Sequence, residues 1–112
     1  MASPDEFWLV DFGDPFPGEP AYHRPALVLG PSRLFGDNLP FIIVAPLTTT
    51  HREISFHIEI EPDFANGLDE ISYVQCEMIR SISRKRLKIR LGFTTAEQSN
   101  DVALVVKRLL DY

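Results

Sequence analysis

Cysteine is nearly missing from this 112-residue chain. Cys76 stands alone, which excludes an internal disulfide and any zinc site built on paired thiolates. It sits in an apolar–polar alternation, the setting of a buried structural thiol rather than a nucleophile. Long hydrophobic runs are missing as well. The longest, Phe41 to Leu47, is broken by Pro46 and falls far short of the ~20 residues needed to cross a bilayer. Met1 to Glu6 is acidic and has neither the basic start nor the apolar stretch of a secretory signal, so the expected location is the cytoplasm. Basic residues are in deficit, eleven Lys and Arg against sixteen Asp and Glu, for a net charge of −5. That excludes a uniformly basic nucleic-acid coat and argues against polybasic membrane association, while leaving room for a local basic groove. No phosphate-binding glycine loop, zinc spacing or nucleophile elbow occurs. Nor does any repeat, low-complexity tract or Gly/Ser linker divide the chain. One domain over residues 1–112 is expected, because two cores of half this length would each be too small.

What is present reads mostly as β. Phe7 to Phe12 is rich in aromatic and branched residues and stops at the Gly13-Asp14-Pro15 turn signal. From Gly13 to Pro25 the chain holds four of its nine prolines, an irregular stretch of the kind that carries function in small domains. Pro25 then opens Ala26 to Leu29, and Phe41 to Ala45 is a second buried-strand candidate. Phe56, Ile58 and Ile60 alternate with polar residues, the two-residue period of a strand with one wet face. Tyr73 to Ile82 reads as one further strand and Ile89 to Phe93 as a short last one. Only the C-terminus looks helical: Thr94 with Glu97 fits a capping box, and Val102, Val106, Leu109 and Leu110 recur at helical spacing. The expected fold is α+β and mainly β, a compact SH3-like antiparallel barrel or sheet with a C-terminal helix.

Polar groups gather at strand ends. Glu19, His23 and Arg24 lie where the proline-rich segment enters the second strand, and Thr48, Thr49, Thr50 and His51 follow the third. Each has an ordinary reading: an arginine in a surface ion pair, threonines that suit extended backbone, solvated histidines. Only their joint placement, if the two strands are neighbours, points to a site. The charge is also segregated. Arg80, Arg84, Lys85, Arg86, Lys88 and Arg90 fall in one eleven-residue window, whereas Glu53 to Glu70 holds six acids and no lysine or arginine. Such a stripe either pairs phosphates through forked hydrogen bonds or forms a solvated face.

The order of segments resembles the MazF/PemK (Kid) family of toxin–antitoxin ribonucleases over nearly the whole length. The resemblance is carried by Trp8-Leu9-Val10-Asp11-Phe12, Gly18-Glu19 and His23-Arg24-Pro25-Ala26-Leu27-Val28. Further along it is carried by Ile43-Val44-Ala45-Pro46-Leu47-Thr48-Thr49, Gly67-Leu68-Asp69, Glu77-Met78-Ile79-Arg80-Ser81-Ile82, Arg86-Leu87 and Leu91-Gly92. It implies a homodimer that cuts single-stranded RNA, mRNA above all, without metal or other cofactor, and that a cognate antitoxin holds inactive. It assigns catalysis to Arg24 and Thr48, assisted by Glu19 and His23. Phe16, Thr49, Arg80, Arg84 and Arg86 are the expected RNA contacts. Three positions depart from the family pattern: Pro20 stands where glutamine is common, Gly18 where serine is common, and Met78 where glutamine is usual before Ile79-Arg80. Two other readings share the fold, a toxin that inhibits DNA gyrase by binding it and a catalytically lapsed module that binds only an antitoxin.

Overall fold

Residues whose side chains alternate between apolar and polar set most of the architecture. The computed structural model describes every residue except Met1, Pro15, Pro20, Ala21 and Asp37. The described residues form seven strands and one α-helix: β1 (Glu6–Asp11), β2 (His23–Gly30), β3 (Phe41–Thr48), β4 (His57–Ile60), β5 (Ser72–Gln75), β6 (Arg80–Ser83), β7 (Leu87–Phe93) and α1 (Ala96–Leu109). Every pairing is antiparallel. The sheet runs β4-β5-β3-β2-β1-β7, with β6 also paired to β3. Of the two expected forms, barrel or sheet, the chain takes the open one. β6 and β7 are joined by a short 3-10 turn, Arg84–Arg86, and not by a hydrogen-bonded ladder.

β3 is the hinge of the arrangement. Its Leu47 and Thr48 pair with β5, while Phe41 to Val44 pair with β6. Pro46, which has no N–H to donate, falls in the gap between these two partners. The expected continuous strand from Tyr73 to Ile82 is therefore broken. Three steps along β3, from Leu47 to Val44, correspond to six along the other chain, from Val74 to Arg80, and the 3-10 turn Cys76–Met78 takes up the difference. Alternation in the sequence runs on through the turn because Cys76 is buried like a strand residue. The other strands match expectation within a few residues. β2 begins at His23, so Pro25 lies inside it, opposite Leu9, rather than at its head. The helix cap is displaced by one residue: Thr95 caps α1 and forms the reciprocal box with Gln98, while Thr94 donates to Gln98 at 2.8 Å.

Strand alternation divides the apolar residues between two clusters, one on each face. Phe7, Leu27, Ala45, Leu47, Ile60, Val74 and Val102 form the first, covered by α1. Val10, Phe12, Ala26, Val28, Ile42, Val44 and Ile82 form the second. Val102 is the one fully buried residue of α1, and burial of such a side chain contributes roughly 1.5–3 kcal/mol. At the other edge of the first cluster, the Phe64–Leu68 loop lies against β7. The Phe93 amide donates to the Ala65 carbonyl at 2.7 Å. A Cβ at Gly67 or Gly92 would collide with backbone on the opposite segment, and Gly67 also has a φ of +68°.

Candidate active site

Antiparallel partners project to the same face of a sheet, so register shows which side chains share a surface. Val10 of β1 pairs with Arg24 of β2. Continuing the β2–β3 register two residues past the Ala26–Pro46 pair sets Arg24 opposite Thr48. Thr48 pairs with Tyr73 of β5, and Tyr73 with Glu59 of β4. Arg24, Thr48, Tyr73 and Glu59 thus form one row across four strands, on the face of the second apolar cluster. The two principal residues of the sequence reading fall on the same face of neighbouring strands.

Arg24 is half-buried. Burial, followed by the nearby Arg52 cation, pushes its guanidinium below its ordinary value. Two neighbouring cations, one of them with part of its water removed, attract an anion better than either alone. The hydroxyl of Thr48 accepts the Thr50 amide at 3.2 Å. That contact occupies a lone pair and leaves the hydroxyl proton available for donation. His51 stacks on Tyr73, with ring centroids 5.0 Å apart and planes 5° from parallel. Glu59 is the cross-strand partner of Tyr73, and burial first, then the neighbouring Glu59 carboxylate, holds the phenol above its ordinary range.

The segment between β1 and β2 is anchored at its base. The Phe12 amide donates to the Tyr22 carbonyl and the Tyr22 amide to the Gly13 carbonyl, both at 2.8 Å. At its tip Glu19 closes a tight turn: its amide donates to the Phe16 carbonyl at 3.0 Å and its Oε1 accepts the Phe16 amide at 2.9 Å. Gly18 has a φ of +84°, a conformation that suits glycine and disfavours the serine common at this position in the family. Phe16 is 77% exposed, a free aromatic face beside Glu19. Pro20 lies outside the described residues. His23 pairs with Asp11, and their side chains approach to 3.8 Å. Strand alternation directs this pair to the face opposite Arg24 and Val10. Neither Glu19 nor His23 has a hydrogen bond or ion pair to Arg24 or Thr48 among the described residues.

The basic stripe divides. Arg80 pairs with Val44 and its guanidinium lies 5.7 Å from the centre of the Phe12 ring, so it shares the face of Arg24. Arg86 donates to the Asp11 carbonyl at 3.1 Å, beside the base of the β1–β2 segment. Arg84 is elsewhere. It donates to the Leu39 carbonyl at 2.6 Å, next to the start of β3, whereas Thr48 is at that strand's end. Arg90 faces Glu6 at 3.5 Å. Thr49, one step beyond Thr48, lines a cavity on the opposite face with Leu9, Pro25 and Ser72. Sequence reasoning missed Arg52, Tyr73 and Glu59. Arg52 had a signal, since it continues the run Thr48-Thr49-Thr50-His51; the other two enter only through register. Among the described residues, no group of three His, Cys, Asp or Glu side chains is placed to hold a metal ion, and no helix is long and apolar enough to cross a membrane.

An open antiparallel sheet with a half-buried arginine, a hydroxyl and a further cation on one face, covered by a C-terminal helix, defines a small mainly-β protein with a partly cationic surface. The family model for the PemK-like, MazF-like toxin of type II toxin–antitoxin systems matches residues 4–110, and the chain belongs to that family. It is 31% identical over 88 residues to Endoribonuclease MazF3 of Mycobacterium tuberculosis, a span that covers 79% of this chain and 82% of the relative. A crystal structure of MazF from Deinococcus radiodurans superposes with a TM-score of 0.82 at 22% identity, covering 99% of this chain and 97% of that one. An endoribonuclease from a mycobacterial species, solved in complex with its cognate antitoxin, superposes with a TM-score of 0.78 at 19% identity, covering 98% and 95%. These two structures bear on the fold alone.

Proposed function

We propose that this toxin is a metal-independent endoribonuclease that cuts single-stranded RNA, acting in the cytoplasm as a homodimer and restrained by a cognate antitoxin. The observation that carries the reading is the alignment of Arg24 with Thr48, with Arg52 beside Arg24. In the reaction the ribose 2′-OH gives its proton to a base while its oxygen attacks the adjacent phosphorus. The P–O5′ bond breaks, and the leaving oxygen takes up a proton. The products are a 2′,3′-cyclic phosphate and a 5′-OH end. Negative charge builds on the non-bridging oxygens at the transition state, and the Arg24 guanidinium offers a fork of donors that holds them. Thr48 adds a neutral hydrogen bond to the same oxygens.

Proton transfer falls to Glu19 rather than to His23, which strand alternation directs to the face opposite Arg24. Glu19 keeps Oε2 open while Oε1 accepts the Phe16 amide. Phe16, Arg80 and Arg86 serve as RNA contacts, with the exposed Phe16 ring offering a stacking surface. Arg84 and Thr49, which the resemblance also assigned to RNA, have other neighbours in the folded chain. The partnership with an antitoxin is supported by family membership and by the relative solved with its cognate antitoxin. The reading is tested by incubating the purified chain and its Arg24→Ala variant with single-stranded RNA in EDTA. Cutting by the first and not the second is expected; intact RNA with both, together with gyrase inhibition by the wild type, sets the reading aside in favour of a gyrase-binding toxin.

A further inference from the structure

The row that holds Arg24 and Thr48 does not end there. It continues through Tyr73 to Glu59, and above these residues lies a cavity of about 300 Å3, lined also by His51, Glu53 and His57. That volume is at the small end of ligand pockets, about 300 to 1,000 Å3. We propose that this cavity is a nucleobase subsite, which takes a base bearing an amino group next to the scissile phosphate and disfavours uracil. The proposal rests on the RNA-cutting reading and adds to it what sits beside the cut.

Three observations favour a base over any other part of the chain. The buried Tyr73 ring is covered by the exposed, parallel His51 ring, so the outer face of His51 extends an existing stack toward solvent. Unstacked RNA bases are held in this way, by aromatic faces and by hydrogen bonds to their edges. The polar groups beside the stack are acidic. Glu53 and Glu59 repel a phosphate, so the cationic half of the row suits backbone and the acidic half suits a neutral base. Finally, the histidine in the wall is unusual. His57 is buried, its Nε2 meets Glu77 at 2.9 Å, and its Nδ1 finds no hydrogen-bond partner among the described residues. A buried polar atom left unpaired is costly, and a ligand edge is one way to satisfy it.

The carboxylate decides which base. Glu59 lines the cavity opposite Tyr73, and its carboxylate offers only acceptor sites to a base. Guanine offers it two parallel donors, N1–H and the amino group, and cytosine and adenine offer their amino groups. Uracil brings its single N3–H between two carbonyl oxygens, which a carboxylate repels. A glutamine in place of Glu59 has both a donor and an acceptor and pairs with N3–H and O4 of uracil.

The test is a randomised single-stranded RNA library cut by the wild type, Glu59→Gln and His51→Ala, with fresh 5′-OH ends sequenced. At one position beside the cut the wild type is expected to deplete uracil roughly tenfold or more, the scale of one good base contact. Glu59→Gln should restore uracil there relative to the other bases, and His51→Ala should weaken the preference for every base at that position. Unchanged preferences in both variants overturn the proposal. A second measurement separates it from the nuclease reading: backbone amide shifts at residues 51, 59 and 73 on addition of guanosine or uridine monophosphate to the wild type. Shifts with guanosine monophosphate that exceed those with uridine monophosphate uphold the subsite even if no RNA is cut, and equal or absent shifts overturn it.

Discussion

Thr48, the last residue of β3, is the direct cross-strand partner of Tyr73 on β5. That pairing joins the arginine side of the sheet, at Arg24, to the aromatic and acidic side, at His51 and Glu59. The hydroxyl of Thr48 lies at the meeting point, accepting the Thr50 amide and free to donate its proton.

Removing that hydroxyl separates its chemical part from its structural one. Thr48→Val keeps shape and strand propensity but strands the Thr50 amide and deletes the donor. A cutting rate lowered about 10- to 100-fold is expected, a little below the effect of removing a charged oxyanion donor. Thr48→Ser should retain most of the activity. Initial rates on one RNA oligonucleotide, with circular dichroism as a check on folding, decide the matter.

Arg52 and Arg84 should behave oppositely, although both are arginines in a chain of net charge −5. Arg52 sits close enough to Arg24 to depress it, whereas Arg84 is committed to the Leu39 carbonyl. Arg52→Gln is expected to weaken RNA binding and to reduce the slope of log K against log salt by roughly 0.7, the value for one phosphate contact on a single strand. Arg84→Gln should leave that slope unchanged and lower the unfolding midpoint. Binding titrations across a salt series, paired with urea melts, read both.

A pH effect follows from the buried thiol. Burial first, then the Glu77 carboxylate, pushes Cys76 from an ordinary 9 up to about 12. The unfolded chain gives up this proton near pH 9 while the folded chain keeps it, so above that pH the folded state binds more protons. Its contribution to stability is complete below about pH 9 and is lost as pH rises toward 12. Urea midpoints of the wild type should fall over that range more steeply than those of Cys76→Ala. At neutral pH the native thiol should resist alkylation until the chain is unfolded.

The close approach of the Phe64–Leu68 loop to β7 makes a stability prediction. Gly67→Ala places a methyl group against the Leu91 carbonyl at a φ of +68°, and Gly92→Ala places one against the Ala65 carbonyl. Each should destabilise by more than about 1 kcal/mol, read as a lowered urea midpoint. Gly36, with a positive φ but open space around it, should cost less when changed to alanine.

Much of the fold was legible because alternation and turn residues are local signals. β1, β3 and α1 follow directly from their apolar spacing, and Gly13 marks the end of the first hairpin arm. The break at Cys76–Met78 was not legible. It arises because β5 and β6 share one edge of β3, and no local feature of Tyr73 to Ile82 reports which partner each residue meets. The site divides in the same way. Arg24 and Thr48 were recoverable from their order along the chain. Tyr73 and Glu59, distant in sequence, join them only once register is known. The basic window from Arg80 to Arg90 reads as one patch, yet the turn at Arg84–Arg86 and the bend of the sheet send its members to different places.

In the proposed reaction Arg24 and Thr48 together direct cleavage of the RNA backbone by its own 2′-OH. The most direct measurement is the mapping of fresh 5′-OH and 2′,3′-cyclic phosphate ends in cellular RNA after brief induction of the wild type and of Arg24→Ala. Both kinds of end should appear at a recurring sequence with the wild type, and Arg24→Ala should reduce them about 10²- to 10³-fold while growth continues. Fresh ends bearing 5′-phosphate, or an Arg24→Ala variant that arrests growth and cuts as the wild type does, would contradict the account.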